Sequence, residues 1–168
     1  MNTPTRVLSG ALAGFGGTVA LSLFRETSRK AGIVSDTAPA QVIARAKELG
    51  LLEDLSDHSE ELITLAAHYA YGTAAGAAFG LLRRDYGDLS DEMATGAALG
   101  ILSWAAGWAV WLPLAGVHSS PWTQITPRVL LPVIDHAAFG AAFGFLYVIL
   151  RENEEPEGSS LDEDPQAG

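Results

Sequence analysis

The run Val129-Leu-Leu-Pro-Val-Ile-Asp135-His136-Ala-Ala-Phe-Gly140-Ala-Ala-Phe-Gly144-Phe-Leu-Tyr-Val-Ile-Leu150 decides the fold of this chain. A helix of about 20 apolar residues crosses a bilayer, and this run is long enough to do so. Asp135 and His136 place two ionisable groups inside it, while Gly140 and Gly144 lie one helical turn apart on one face. The segment therefore predicts a membrane-spanning helix that packs closely against a neighbour.

An earlier segment carries the same helix face, 68 residues before the later one. It has one histidine and two glycines at the same spacing, namely His68, Gly72 and Gly76. Each of these two helices follows a helix with a Gly-x-x-x-Gly face, so the pattern resembles two copies of one hairpin. Such copies would run in the same direction across the membrane and form a parallel repeat. Duplication and chance similarity between Ala- and Gly-rich helices both account for the pattern.

Apolar residues are gathered into four blocks along the chain. They predict membrane spans at about 7–24, 62–82, 93–114 and 129–150. Small residues allow close approach of helix backbones in lipid, so we assign helix packing to nine glycines: Gly10, Gly14, Gly72, Gly76, Gly80, Gly96, Gly100, Gly140 and Gly144. Residues 1–151 are thus predicted to form an all-α integral membrane four-helix bundle, built from two helical hairpins.

The long polar connection between the first two spans contains a short amphipathic pattern at about 38–49. Val42, Ile43, Ala46 and Leu49 share one face, which predicts a short amphipathic helix. Its mixed charge favours docking on the protein's own helices over binding to lipid headgroups. Residues 152–168 are rich in Glu, Asp, Pro, Gly and Ser, a composition that predicts a disordered acidic tail.

Charge and composition exclude several classes of function. The net charge is -10, which argues against a nucleic-acid partner. The chain has no cysteine, so it has no disulfide framework, no thiol nucleophile and no cysteine metal site. We expect no cofactor. The expected partners are the lipid bilayer and either further copies of the chain or another membrane protein.

Three short motifs resemble a known family. They are Leu65-Ala-Ala-His68-Tyr-Ala-Tyr-Gly72-Thr-Ala-Ala-Gly76, Trp111-Leu-Pro113 and Asp135-His136-Ala-Ala-Phe-Gly140. Together they resemble the small, four-helix, YagU-like inner-membrane proteins of bacteria, which have no established biochemical activity. The resemblance covers most of residues 7–150 and implies a multi-pass protein of the plasma (inner) membrane. It supplies no catalytic residues.

The side of the membrane that holds the termini is weakly encoded. Lys and Arg near the spans are more numerous on the side of the long first loop, which favours a cytoplasmic position for that loop. The opposite topology places the loop with Trp108, Trp111, Trp122 and nearby prolines outside the cytoplasm, and this composition favours it. Both termini inside is the common topology, and we expect cytoplasmic termini.

The intramembrane ionisable residues form the candidate site. His68 and His136 are expected at similar depth, with Asp135 beside the second histidine and Glu26 at the same end. Functional interpretations are a proton relay or pH sensor, a metal site with histidine and carboxylate ligands, and a polar vestibule for a small solute. The structural interpretation is hydrogen bonding between helices, with Tyr69, Tyr71, Thr73 or Ser103 as partners of a histidine.

Asp135 is the most costly residue to bury. An Asp at the centre of a membrane helix costs about 2.5–3.5 kcal/mol, so we expect it to face a partner on another helix. The sequence as a whole favours a non-enzymatic structural, stress-related or accessory membrane factor. The alternative is a small oligomeric channel or transporter that uses the two histidines, and the third interpretation is an intramembrane metal-binding protein.

Overall fold

A computed structural model describes residues 2–30, 38–52, 55–84, 87–119, 123 and 130–152. The side chains of residues 24, 26–30, 130 and 131 lie outside the described part. All regular secondary structure in these ranges is helical, and they contain no strand. The predicted all-α class is therefore confirmed for the part of the chain that the structure describes. Of the predicted acidic tail, residues 153–168 lie outside the described residues.

The described part of the chain contains six α-helices and one π-helical segment. Their bounds are α1 (Thr3–Lys30), α2 (Ala38–Glu48), α3 (Asp57–Leu82), α4 (Leu89–Trp104), a π-helical segment (Ala105–Trp111), α5 (Leu112–Leu114) and α6 (Leu130–Glu152). The π-helical segment joins α4 to α5 without a break, so these three elements form one continuous helical run. The short amphipathic pattern corresponds to α2.

Among the described residues, three helical stretches are long and apolar enough to cross a membrane. They are Thr3–Leu23, Leu89–Leu114 and Pro132–Glu152. The chain therefore has the character of a membrane protein. α3 is not among these stretches. It has 26 residues, but its histidines, tyrosines and glycines lower its mean hydropathy.

Glycine faces hold the helices together in pairs. α1 packs against α3 along most of its length, and α4 packs against α6 in the same way. The approach is so close that a Cβ atom added to Gly76 would lie 2.1 Å from the Gly10 carbonyl oxygen. At Gly140, it would lie 2.0 Å from the Gly96 carbonyl oxygen. Only glycine allows this backbone separation, so these residues set the geometry of both helix pairs.

α6 connects the two pairs because it also packs against α1. A cluster of aromatic side chains fills the space between α6 and α3. Phe79 of α3 packs edge-on against Phe143 and Tyr147 of α6, with ring centroids 5.2 Å apart in each case. Phe139 packs against Phe143 in turn. By contrast, the backbones of α3 and α4 approach each other closely at few points in the described part, although they are neighbours in sequence.

The glycine contacts are similar in the two helix pairs. In the α1–α3 pair, a Cβ atom added to Gly14 would lie 2.2 Å from the Gly72 carbonyl oxygen, and in the α4–α6 pair, one added to Gly96 would lie 2.2 Å from the Gly140 carbonyl oxygen. Gly72 and Gly140 are 68 residues apart, which is also the spacing of the two histidines. Duplication and chance similarity both account for this likeness.

α2 docks on the rest of the protein, as its mixed charge favours. Ile43 is buried, and the helix packs against α3. Lys47 forms an ion pair with Glu60 in the first turn of α3. The guanidinium group of Arg45 lies over Gly116, which follows α5 and has a left-handed φ of 69°. α2 is thus fastened at two points across one end of the helices.

Candidate functional site

A cavity of about 380 Å³ lies among the helices, beneath α2. Residues of α1, α2, α3, the π-helical segment and α6 line it. His68 and His136 both lie in its wall, so the structure brings the two predicted histidines to one site. Pro39, Val42 and Ile43 of α2 cover the cavity at one end. Most of the remaining wall is apolar.

His68 makes a hydrogen bond between helices. Its Nε2 atom lies 3.2 Å from the Ser22 hydroxyl of α1. That hydroxyl is already 2.7 Å from the Thr18 carbonyl oxygen, which can only accept. Because a hydroxyl has one proton and gives it to the carbonyl, Nε2–H of His68 donates to Ser22. Ser22, rather than one of the four predicted partners, therefore ties α3 to α1 through this histidine.

His136 makes its hydrogen bond within its own helix. The Nδ1 atom lies 2.7 Å from the carbonyl oxygen of Pro132. A carbonyl oxygen only accepts, so Nδ1 carries a proton. In the neutral imidazole the other nitrogen, Nε2, is then a hydrogen-bond acceptor. His136 therefore contributes an acceptor at the wall of the cavity.

Asp135 has the partner on another helix that its burial demands. The Arg25 guanidinium of α1 donates to one carboxylate oxygen of Asp135, from Nη2 at 2.8 Å and from Nε at 3.1 Å. The exposed fractions of the two side chains are 19% and 11%. The sequence predicted a partner on another helix but did not identify it as Arg25. Glu26 belongs to α1, and its side chain lies outside the described part.

A second buried ion pair lies at the opposite end of the helices. Glu92 is fully buried and accepts from Arg83, from Nε at 2.9 Å and from Nη2 at 2.8 Å. The backbone N–H of Gly87 donates to the same carboxylate at 2.9 Å. The hydrogen bonds from Arg83 to Glu92 and to Asp91 raise the pKa of Arg83 above its ordinary value. The burial of Glu92 had no signal in the sequence, because an acid next to Asp91 at a helix start is also typical of an exposed first turn.

The π-helical segment shapes one wall of the cavity. The N–H of Leu112 donates to the carbonyl of Gly107, five residues earlier. This wider winding brings positions four and five residues apart to one face, so Ser103, Trp108 and Leu112 all line the cavity. The ring of His118 also packs against the ring of Trp108, at a centroid distance of 4.3 Å. The sequence had no signal for the π-helical winding.

A metal ion has no evident site in the described residues. Within them, no three His, Asp or Glu side chains come together as metal ligands. The carboxylate of Asp135 is occupied by Arg25, and the Nδ1 atom of His136 by a carbonyl oxygen. These residues can stabilise the packing of the helices. A histidine nitrogen can also accept a hydrogen bond from a molecule in the cavity.

Comparisons of the chain with protein family models, with curated proteins and with solved structures find no match.

Proposed function

We propose that the chain is a non-enzymatic membrane protein with four spans that serves as a structural or accessory factor of the membrane. The observation that carries the proposal is that the buried polar residues form contacts between helices. Asp135 binds Arg25, and His68 binds Ser22. Each contact joins α1 to another helix, which is what a residue that fixes packing would do.

The fourth span in this proposal is α3. Its 26 residues correspond to about 39 Å at 1.5 Å per residue, enough to cross the hydrocarbon core. It lies against α1, which is apolar enough to cross, and Gly10 and Gly14 of α1 contact its glycines. A helix that packs along most of the length of a spanning helix lies at the same depth in the membrane as that helix. α3 therefore spans the membrane beside α1.

Four spans bring both termini to one side, and we place that side in the cytoplasm. The proposal includes membership in the YagU-like family and a location in the bacterial inner membrane. Its support is the set of short motifs around His68, Trp111 and Asp135, together with the helical composition. Self-association, or association with another membrane protein, is part of the accessory role.

Flux through reconstituted protein separates this function from that of a channel. Purified protein is placed in liposomes with an internal proton-sensitive dye, and the native chain is compared with His68→Ala and His136→Ala. We expect no proton flux above that of protein-free liposomes in any of the three. We also expect His68→Ala to be less stable in detergent by about 0.6 kcal/mol, the average for a hydrogen bond between membrane helices.

The matched control is Leu114→Ala, since Leu114 is 83% exposed and lies outside the cavity wall. Flux in the native chain that disappears in His136→Ala but persists in Leu114→Ala would replace the structural function by a channel or transporter. Equal stability of native protein and His68→Ala would remove the evidence that this histidine fastens α3 to α1.

A further inference from the structure

The cavity has a side opening that faces the bilayer. Tyr71 of α3 and Trp111 of the π-helical segment both line it, and they are 47% and 51% exposed. A residue that is half exposed and also lines a cavity lies at its mouth. Tyr71 belongs to α3 and Trp111 to the π-helical segment, so the mouth lies between these two elements. Both elements span the membrane in the proposed function, so a molecule dissolved in the bilayer can enter there.

The wall of the cavity is suited to an apolar molecule. Leu21, Ile63, Trp108 and Phe139 provide much of its surface. Its volume of about 380 Å³ falls within the range of about 300–1,000 Å³ that is usual for ligand pockets. The site therefore has room for a segment of an acyl or similar chain but not for a whole phospholipid.

The charges at the cavity exclude most charged ligands. Arg25 lines the cavity, but two of its donors are bound to Asp135, which balances its charge. Among the described residues that line the cavity there is no carboxylate to attract a cation. A net charge in the ligand would thus have no counter-charge available, and burial of an unpaired charge is costly.

Three polar residues that line the cavity, Ser103, His68 and His136, favour a ligand that donates a hydrogen bond. Ser103 gives its hydroxyl proton to the Gly100 carbonyl at 2.8 Å, and His68 gives its Nε2 proton to Ser22. His136 has no donor left in its neutral form, because Nδ1–H is bound to Pro132, but it has the lone pair of Nε2. A ligand that donates one hydrogen bond complements this nitrogen.

We propose that the cavity binds a neutral, membrane-soluble amphiphile of the long-chain alcohol class. Its hydroxyl donates to Nε2 of His136, its chain lies along Trp108 and Phe139, and the end of the chain leaves between Tyr71 and Trp111 into the bilayer. The proposed hydrogen bond uses a nitrogen of His136 that the contacts of Asp135 and His68 do not occupy, although Arg25 and His68 also line the cavity.

The test is quenching of tryptophan fluorescence by 12-bromododecan-1-ol, with the full chain reconstituted in lipid. Trp108 and Trp111 line the cavity, so a bromine carried there quenches them. The comparison probe is the methyl ether of the same alcohol, which cannot donate a hydrogen bond. We expect saturable quenching by the alcohol and roughly tenfold weaker binding of the ether, because the ether leaves the acceptor on His136 unpaired.

Three variants keep the test decisive. A Cβ atom added to Gly107 would meet only Trp111, at 3.5 Å, so Gly107→Leu can fill the cavity while Gly107→Ala leaves most of it open. We expect the leucine variant to lose saturable quenching and the alanine variant to keep it. His136→Leu removes the acceptor, and we expect alcohol and ether to bind this variant equally well.

Quenching of the native chain that rises linearly with the probe would be simple partition into lipid and would overturn the proposal. Equal affinity for alcohol and ether in the native chain would overturn the role of His136. Saturable quenching that survives in a folded Gly107→Leu protein would show that the probe binds elsewhere.

Discussion

Gly76→Ala is the substitution whose effect the structure defines best. The added Cβ would lie 2.1 Å from the Gly10 carbonyl oxygen and 2.6 Å from the Cα of Gly14. An ordinary contact begins at 3.4 Å, so α1 and α3 would have to separate by about 1.3 Å. A gap of 0.5–1 Å already forfeits a quarter to a half of the dispersion energy between the atoms that face it. In lipid, this packing is the main attraction between helices.

The expected loss follows from these terms. Overpacking costs about 1–3 kcal/mol, and the upper value applies here because backbone atoms on both sides cannot rotate away. The gain in helix propensity from Gly to Ala offsets about 1 kcal/mol of it. The net loss for Gly76→Ala is therefore about 2 kcal/mol.

The assay is reversible unfolding in mixed micelles of mild detergent and sodium dodecyl sulfate, followed by circular dichroism. Gly16→Ala is the matched control, because its Cβ would meet only the end of the flexible Leu146 side chain, at 2.9 Å. It gains the same helix propensity and is expected to be about as stable as the native chain. If Gly76→Ala proved no less stable than Gly16→Ala, the close α1–α3 contact would be refuted.

Three further results are expected. Arg25→Ala and Asp135→Ala should each lower the free energy of unfolding by about 3 kcal/mol, which is the low end for breaking a buried ion pair. The double variant should be only slightly less stable than either single variant, and a double-mutant cycle measures this coupling. Glu92→Gln should remove the buried carboxylate that pairs with Arg83, leave that arginine only its ion pair with Asp91, and destabilise the protein, which thermal unfolding in detergent would detect. Hydrogen bonds from Ser90 and Asp91 lower the pKa of Asp88, the N-cap of α4, below 3.8. The stabilisation of the protein by the ionised Asp88 cap is thus complete above pH 3.8 and is lost as the pH falls through the lowered pKa. The difference in stability between the native chain and Asp88→Ala should therefore disappear on titration to acid pH.

Helical periodicity made the main features of the fold predictable. Blocks of apolar residues indicated the long helices, and spaced glycines indicated the faces along which they pack. The demand of Asp135 for a partner on another helix was also predictable, because an unpaired carboxylate in lipid is too costly. The identity of that partner was not. An arginine at the end of an apolar run can bind a buried acid or extend to the membrane surface, and only the relative rotation of the helices decides between them.

The remaining features depend on tertiary geometry. The π-helical segment requires the backbone to choose hydrogen bonds five residues apart, and nothing in Ala105-Ala-Gly-Trp-Ala-Val-Trp111 distinguishes it from an α-helix. The burial of Glu92 depends on Arg83 being positioned across the loop. The cavity lies among residues of α1, α2, α3, α6 and the π-helical segment. It therefore depends on how these elements are placed relative to one another, which no single sequence segment contains.

Accessibility of single cysteines from the two sides of the membrane tests the central claim, which is that four helices cross. The native chain has no cysteine, so each introduced thiol reports on one position. The positions are Asn2, Leu51, Arg84, Ala115 and Glu152, each replaced by cysteine and treated in sealed vesicles with an impermeant thiol reagent. The account predicts that positions 51 and 115 react from one side and positions 2, 84 and 152 from the other. Reaction of positions 51 and 84 from the same side would show that α3 does not cross, and would contradict it.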